Sequence, residues 1–294
     1  MGTSTSAPTK TRNHPSIHVK FLNHSFLWDC GEGTQRQLIL AGISPFKINQ
    51  VFITHVHGDH LLGLGGLLQT QGFLDRKDPI TVYGPKGVKK YVDFFAEWEY
   101  SFRDYEINVE EIKEGIVYEN GDFKMSAFKV EHGQCPTFGY LFEEKVERNL
   151  DKEKLRKLGL LENPLCKELK DSGKVAWKGK TIYLDDVSRP IRRNVKVAYT
   201  GDSNPCDEIL KAAKEADLLI SEATFSEELK EKAHDYGHMT AKDAARLAKK
   251  AGANRLILTH ISPRYDENPK LLEKEARTIF KNTDIANDFM RIEV

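Results

Sequence analysis

The segment Thr54-His55-Val56-His57-Gly58-Asp59-His60 carries three imidazoles and a carboxylate directly after the apolar run Val51-Phe52-Ile53. Imidazole nitrogen and carboxylate oxygen are good zinc ligands, and a loop leaving a strand can turn alternate side chains onto a common point. His55 and His57 suit one metal; Asp59 and His60 suit a second. His132, Asp202 and His260 each follow a strand-like run as well. Strand-end loops on one edge of a sheet are where α/β proteins assemble their sites. The pattern predicts one site of His55, His57 and His132 and another of Asp59, His60 and His260. Asp202 would bridge them, because two metals about 3.5–4 Å apart need a shared anion. Two zinc ions held this way would generate a hydroxide nucleophile near neutral pH, which is hydrolase chemistry. An isolated His-x-His is a weak signal, whereas His-x-His-x-Asp-His after a strand is a strong one. His14, His18, His24 and His234 read as surface or structural histidines.

Such a site needs strands that stop where the ligands begin. Ile17–Phe21, Phe26–Trp28, Gln50–Thr54, Ile80–Tyr83, Phe123–Val130, Phe138–Glu143, Val195–Tyr199, Leu218–Ser221 and Arg255–Thr259 have the apolar or alternating character of strands. Thr34–Ala41, Gly87–Trp98 and Thr240–Ala251 read as helices. The last has Thr240 as N-cap, Asp243 three residues on, and Gly252 to close it. The strand and helix segments alternate, which predicts an α/β protein. Residues 144–190 interrupt that alternation with an amphipathic helix over Leu150–Leu161, an Asn163-Pro164 break and a Gly/Lys-rich hairpin. They read as a projecting insertion within a single domain of residues 1–294.

Composition narrows the class. The chain has 294 residues, 39% of them hydrophobic, which suffices for a sizeable core. Its 44 basic and 44 acidic residues cancel, so overall charge does not advertise nucleic acid, although a local basic patch is compatible with that balance. The insertion is such a patch: Lys145–Lys180 holds 11 Lys/Arg against 6 Asp/Glu. On composition alone it reads equally as a soluble lysine-rich surface. No apolar run is long enough to span a membrane, and Met1–Pro15 is too polar for a secretory signal. Four scattered cysteines without a C-x-x-C pair indicate free thiols in a reducing, cytoplasmic setting.

The histidine cluster and its surroundings resemble the metallo-β-lactamase superfamily and, within it, the ribonuclease Z family, from Gly2 to about Phe289. The resemblance is carried by Gly2-Thr3-Ser4 and Pro8-Thr9-Lys10-Thr11-Arg12-Asn13, by Asp29-Cys30-Gly31-Glu32-Gly33-Thr34-Gln35, and by Gly63-Leu64-Gly65-Gly66-Leu67-Leu68. Ser221-Glu222-Ala223-Thr224-Phe225, Gly237-His238-Met239-Thr240 and Leu258-Thr259-His260-Ile261-Ser262-Pro263-Arg264-Tyr265 complete it. Ser221 stands where the family usually has His, the insertion has Asn163-Pro164 in place of a Gly-Pro motif, and the family's opening apolar strand does not precede Gly2.

This resemblance implies an αββα sandwich with a projecting basic arm and two zinc ions per subunit. It also implies a homodimer that removes the 3′ trailer from precursor tRNA, with residues 144–190 as the tRNA-gripping arm. Asp59 would accept a proton from the attacking water, His238 would supply one to the leaving group, and Glu222 would orient His238. From residue type alone His238 reads as an ordinary helix-start histidine. Lys10, Arg12 and Asn13 would contact the RNA; alone they read as a solvated loop. A small-molecule hydrolase or phosphodiesterase of the same superfamily is the alternative, and it would need neither the Pro8–Asn13 loop nor the arm.

Overall fold

Phe26 and Trp28 point to one side of a short strand and Leu27 to the other, and that alternation sets the architecture. The computed structural model describes residues 1–97 and 104–294. Two compact units divide it: residues 1–119, 125–142 and 196–294, and residues 120–124 and 143–195.

In the larger unit the first sheet runs β1 (Ile17–Phe21), β2 (His24–Trp28), β3 (Gln50–Phe52), β4 (Ile80–Gly84), β5 (Ile107–Glu111), in that order. β1 and β2 are antiparallel, and β2 to β5 run parallel. Helices α1 (Thr34–Leu40), α2 (Gly58–Leu61), α3 (Gly63–Phe73) and α4 (Val88–Ala96) lie between these strands in sequence. Leu38, Leu64, Leu67, Leu68, Val88 and Val92 from the helices bury Leu27, Val51 and Val82 from the sheet. The helix expected over Gly87–Trp98 is therefore present as α4, and Trp98 lies outside the described residues.

The second sheet draws on β6 (Gly115–Glu119), β7 (Phe123–Val130) and β8 (Thr137–Glu144). The chain then passes through β9 (Arg148–Leu150), α5 (Lys152–Leu158), α6 (Leu165–Ser172), β10 (Lys174–Trp177), β11 (Lys180–Tyr183) and β12 (Ser188–Pro190). It returns as β13 (Lys196–Tyr199), α7 (Asp207–Ala212), β14 (Leu218–Glu222), α8 (Lys230–Asp235), α9 (Ala241–Ala251), β15 (Leu256–Thr259), α10 (Lys270–Arg277) and β16 (Thr283–Ile285). The sheet order is β16-β15-β14-β13-β8-β7-β6, with β13 to β16 parallel. Ala241, Ala244, Ala245 and Ala248 of α9 pack on Leu219, Leu256 and Leu258. Small residues let that helix lie close to the strands.

Aromatic rings fill the space between the two sheets. Phe26 stacks with Phe142 at 6.3 Å, Trp28 with Tyr199 at 5.7 Å, and Phe52 meets Tyr140 edge-on at 5.5 Å. Helix, sheet, sheet and helix follow one another, as the αββα reading expected. Truncating a fully buried ring such as Phe52 to Ala would cost roughly 3–5 kcal/mol.

Two local features bear on the site. Thr240 caps α9 in a reciprocal capping box with Asp243, and Gly252 ends that helix in the left-handed conformation, as the sequence predicted. Gly63 opens α3 where an added Cβ would lie 1.9 Å from the Gly31 carbonyl oxygen, so this helix can seat on the Cys30–Gly31 turn only through glycine.

The smaller unit has its own core of Leu155, Leu160, Leu169, Val175 and Val187. Asp151 caps α5 by accepting from the Glu153 and Lys154 N–H groups, and β9 pairs with β12, Arg148 opposite Pro190. The unit is wider than the 144–190 insertion read from the sequence, starting at Glu143, ending at Val195 and adding residues 120–124.

Candidate metal centre

Each candidate ligand sits just past a strand. His55, His57, Asp59 and His60 follow β3, His132 follows β7, Asp202 follows β13, and His260 follows β15. The parallel strands end on a common edge, so loops far apart in sequence meet there. His55, His57 and His132 bring one nitrogen each within 4.8 Å of one another, and Asp59, His60 and His260 do the same with an oxygen and two nitrogens. Asp202 Oδ2 lies between the groups, 3.8 Å from His55 Nε2, 3.3 Å from His60 Nε2 and 3.2 Å from His260 Nε2. The structure thus brings all seven predicted ligand residues together.

The donor set fits metal cations, because its lone pairs converge with too few protons to separate them. His132 Nδ1–H donates to the Gly237 carbonyl at 2.8 Å, leaving its Nε2 bare and 3.2 Å from His57 Nδ1. The Thr54 hydroxyl donates to Asp29 and accepts from His55 Nδ1–H at 3.0 Å, so His55 Nε2 is bare as well, 3.0 Å from the same His57 atom. Thr224 donates to Glu222 Oε2 at 2.6 Å and accepts from His260 Nδ1–H at 2.9 Å. His260 Nε2 is therefore bare, and it faces His60 Nε2 at 3.3 Å and Asp59 Oδ2 at 3.4 Å. Imidazoles and carboxylates converging on shared points are a divalent-metal arrangement.

The electrostatics agree. Burial and the neighbouring imidazoles hold His55 well below the usual histidine range, in the neutral form a ligand needs. Burial also opposes charge on His60, but Asp202 and Asp29 outweigh it and push the imidazole well above that range. Burial opposes ionisation of Asp59 and Asp202; the surrounding histidines prevail and keep both carboxyls below the usual carboxylate range. A cation at the His60 position therefore competes with a proton.

Sequence reasoning gave Asp29 no role. It is fully buried with φ +58°, and its oxygens accept from the Thr54 N–H at 2.8 Å, from His60 Nδ1–H at 2.8 Å and from the Tyr199 hydroxyl at 2.8 Å. It fixes the tautomer of His60. The available signal was an acidic residue at the end of the apolar run Phe26-Leu27-Trp28. Thr54 and Thr224, which orient His55 and His260, were equally unmarked.

His238 and Glu222 form a pair beside the ligands. His238 Nδ1–H donates to Glu222 Oε1 at 2.8 Å, and the His238 ring lies 4.9 Å from His132 and 5.4 Å from His260, centroid to centroid. Glu222 is fully buried; it also accepts from the Ser203 N–H at 2.8 Å and from the Thr224 hydroxyl at 2.6 Å. Burial lowers the affinity of His238 for a proton, and the charge of Glu222 raises it more, leaving its pKa at about 9. His238 opens on a cleft of 640 Å³ whose lining includes His57, Asp59, His132 and Arg264.

The Pro8–Asn13 loop behaves differently from expectation at Arg12. Its guanidinium is buried, donating from Nη1 to Thr3 Oγ1 and the Ala286 carbonyl, both at 2.6 Å, and from Nη2 to Asn287 Oδ1 at 3.0 Å. Arg12 ties the loop to the C-terminal segment and does not present its fork to a phosphate. Asn13 Nδ2 donates to the Glu32 carbonyl at 2.7 Å, and Lys10 is exposed.

Comparison with known proteins fits this geometry. Residues 1–159 match the family model described as Anti-Pycsar protein Apyc1, which covers more than half of the chain and places it in that model's family. Residues 188–261 match the Beta-lactamase superfamily domain. Ribonuclease Z of Methanothermobacter thermautotrophicus is 42% identical over 294 residues, covering 100% of this chain and 95% of its own length. The crystal structure of human tRNase Z, short form, superposes with a TM-score of 0.72 at 27% identity, covering 99% of this chain and 96% of that one. The metallo-beta-lactamase fold protein YhfI from Bacillus subtilis shares the fold, with a TM-score of 0.68 at 22% identity over 98% of this chain and 94% of that one. With a candidate metal-ligand cluster, a His238–Glu222 pair whose carboxylate is buried, and full-length relatives that carry one name, the chain belongs to the ribonuclease Z family.

Proposed function

We propose that this protein is a zinc-dependent endoribonuclease that cuts the 3′ trailer from precursor tRNA. The observation that carries the reading is the His238–Glu222 pair beside the metal-ligand cluster, in a chain that resembles ribonucleases Z from end to end. Phosphodiester hydrolysis needs an activated water, neutralisation of the charge on phosphorus-bound oxygens, and a proton for the departing 3′ oxygen. Two zinc ions would be held by His55, His57 and His132 and by Asp59, His60 and His260, with Asp202 available to both, and would supply the first two when bound. His238 supplies the third. Glu222 keeps Nδ1 occupied and the ring charged, so Nε2–H is the proton to give. Asp59, kept ionised by its histidine neighbours, accepts a proton from the attacking water.

Lys10 and Asn13 serve the RNA as a cation and an amide donor, and the basic smaller unit is the arm that holds tRNA through its phosphates. We read the protein as a homodimer; Ile39, Leu40, Leu62 and Leu74, each at least half exposed, are apolar surface that a second copy would cover. We read it as cytoplasmic, which its four free cysteines suit. No helix among the described residues is long and apolar enough to cross a membrane.

The test is incubation with an unprocessed tRNA, with and without chelator, and mapping of the product 3′ end. A cut just after the discriminator base, abolished by chelation and by His57→Ala, is the expected result. Cleavage that survives both sinks the reading.

A further inference from the structure

Tyr236 stands one residue from Gly237 and two from His238, on the rim of the metal cleft. Its backbone is pinned. Tyr236 N–H donates to the Lys232 and Ala233 carbonyls, Gly237 N–H to His234 at 3.0 Å, and His238 N–H to Ala233 at 2.9 Å. Gly237 is held against the metal centre: its carbonyl accepts from His132, and an added Cβ would meet Gly133 N at 2.8 Å and His132 Nδ1 at 3.0 Å. Yet the Tyr236 side chain is unused by the fold. The residue is 64% exposed, and its hydroxyl has no hydrogen-bond partner among the described residues. Lys232, exposed and pairing with no carboxylate among the described residues, holds its ammonium 5.9 Å from the ring centroid.

A rigidly based, open aromatic ring beside a cation is what single-stranded RNA stacks on, base against ring and phosphate against ammonium. Lys232 occupies at most one face of the ring, which leaves the other for a base. The neighbouring His238 defines which base. It delivers its proton to the 3′ oxygen that leaves, and that oxygen belongs to the nucleotide immediately 5′ of the cut. We infer that Tyr236 is a stacking shelf for the base of that nucleotide, with Lys232 on its 5′ phosphate. This assignment rests on the ribonuclease reading above. Stacking reads no sequence, because every base has a π-face, so such a shelf would fix the position of the terminal base while tolerating any of the four.

The experiment compares wild type, Tyr236→Phe and Tyr236→Ala on two precursor tRNAs, one intact and one abasic at the nucleotide 5′ of the cut. Thermal midpoint and zinc content of each variant are measured alongside and are expected to match wild type, since the ring is exposed. On the intact substrate Tyr236→Ala should lose roughly tenfold or more in kcat/KM, and Tyr236→Phe should lose little. On the abasic substrate wild type should fall by about the same factor and Tyr236→Ala no further. Tyr236→Ala cleaving the intact substrate as wild type does, or the two losses multiplying, overturns the shelf while leaving the ribonuclease reading intact. Wild type failing to cut the intact substrate overturns that reading and the shelf with it.

Discussion

Asp29→Asn exchanges one carboxylate oxygen for an NH2 group without changing the size of the side chain, and it should weaken one metal site without touching a ligand. The carboxylate now accepts from the Thr54 N–H and hydroxyl on Oδ1, at 2.8 and 2.9 Å, and from His60 Nδ1–H and the Tyr199 hydroxyl on Oδ2, both at 2.8 Å. An asparagine oxygen can keep the Thr54 side. Its NH2 then confronts two donors. Tyr199 can rotate its hydroxyl to accept, but His60 can avoid the clash only by giving up its Nδ1 proton, which leaves the ring's remaining proton on Nε2. That nitrogen is the one that faces His260 at 3.3 Å and Asp202 at 3.3 Å. A ligand whose lone pair is occupied by a proton must give it up before it binds.

Loss of a partner that orients a metal-bound histidine typically costs 10–100-fold in metal affinity, or about 1.4–2.7 kcal/mol. The cost should fall on one site. His55 keeps its orientation through Thr54, whereas His60 loses its own. Competition with a chromophoric zinc chelator resolves the two binding steps. One step should weaken by the stated factor while the other stays near wild type, and excess zinc should restore most of the cleavage rate. Two steps of wild-type affinity in a folded Asp29→Asn protein would refute the tautomer argument.

Other consequences follow from particular contacts. Arg12→Ala removes two buried hydrogen bonds and a part-buried one and should lower stability by about 2–4 kcal/mol in denaturant titration, whereas Lys10→Ala should leave the midpoint unchanged and raise KM for precursor tRNA. Deleting residues 148–185 should raise KM for precursor tRNA at least tenfold and leave kcat/KM on a small phosphodiester within about twofold, both read by steady-state kinetics. Asp243, whose carboxyl burial opposes but His234 and Thr240 hold below the usual range, contributes stability above the unfolded value of about 4 and loses it as pH falls through the folded one. Asp243→Asn should therefore be about 1–2 kcal/mol less stable than wild type at pH 7, and the gap should narrow progressively as pH falls below about 4 in acid-unfolding curves. Ile39→Asp with Leu40→Asp should give a monomer by sedimentation if those residues cover the dimer face.

The legible parts of the fold were those with a period or a punctuation mark. α9 declared itself through Thr240, Asp243 and Gly252, and the strands before His55, Asp202 and His260 through short apolar runs that stop at a polar residue. α3 was not legible. Its Gly63-Leu64-Gly65-Gly66 start suggests a loop on propensity, and it forms because each glycine there faces something close: Gly31 O at Gly63, the Phe95 ring at Gly65 and Gln35 Oε1 at Gly66. Those contacts are tertiary, and no local pattern encodes them. Strands β5 and β6, rich in exposed Glu, were missed for a related reason: residues such as Glu110, Glu111 and Gly115 lack the half-buried alternation that marks a strand.

The site shows the same division at finer scale. The candidate ligands were readable because metal chemistry favours His and Asp at strand ends. Their supports were not, because Asp29, Thr54, Tyr199 and Thr224 are ordinary residue types that act only through partners distant in sequence, such as Tyr199 on Asp29. Arg12 was misassigned for the converse reason: a cation in a polar loop looks free until the Ala286 carbonyl and Asn287 close on it. Backbone conformation supplies a last clue that sequence cannot. Asp29 and His260 both hold φ at +58°, a region costly for a residue with a Cβ. Each ends a parallel strand and turns its side chain into the cluster. Among the non-glycine residues with positive φ, these two are an orienting carboxylate and a candidate ligand, and the conformation is held where His60 and His260 face each other. Leu22 and Lys178 hold the same conformation after antiparallel strands, so it is a left-handed, buried polar residue after a parallel strand that marks Asp29 as part of the site.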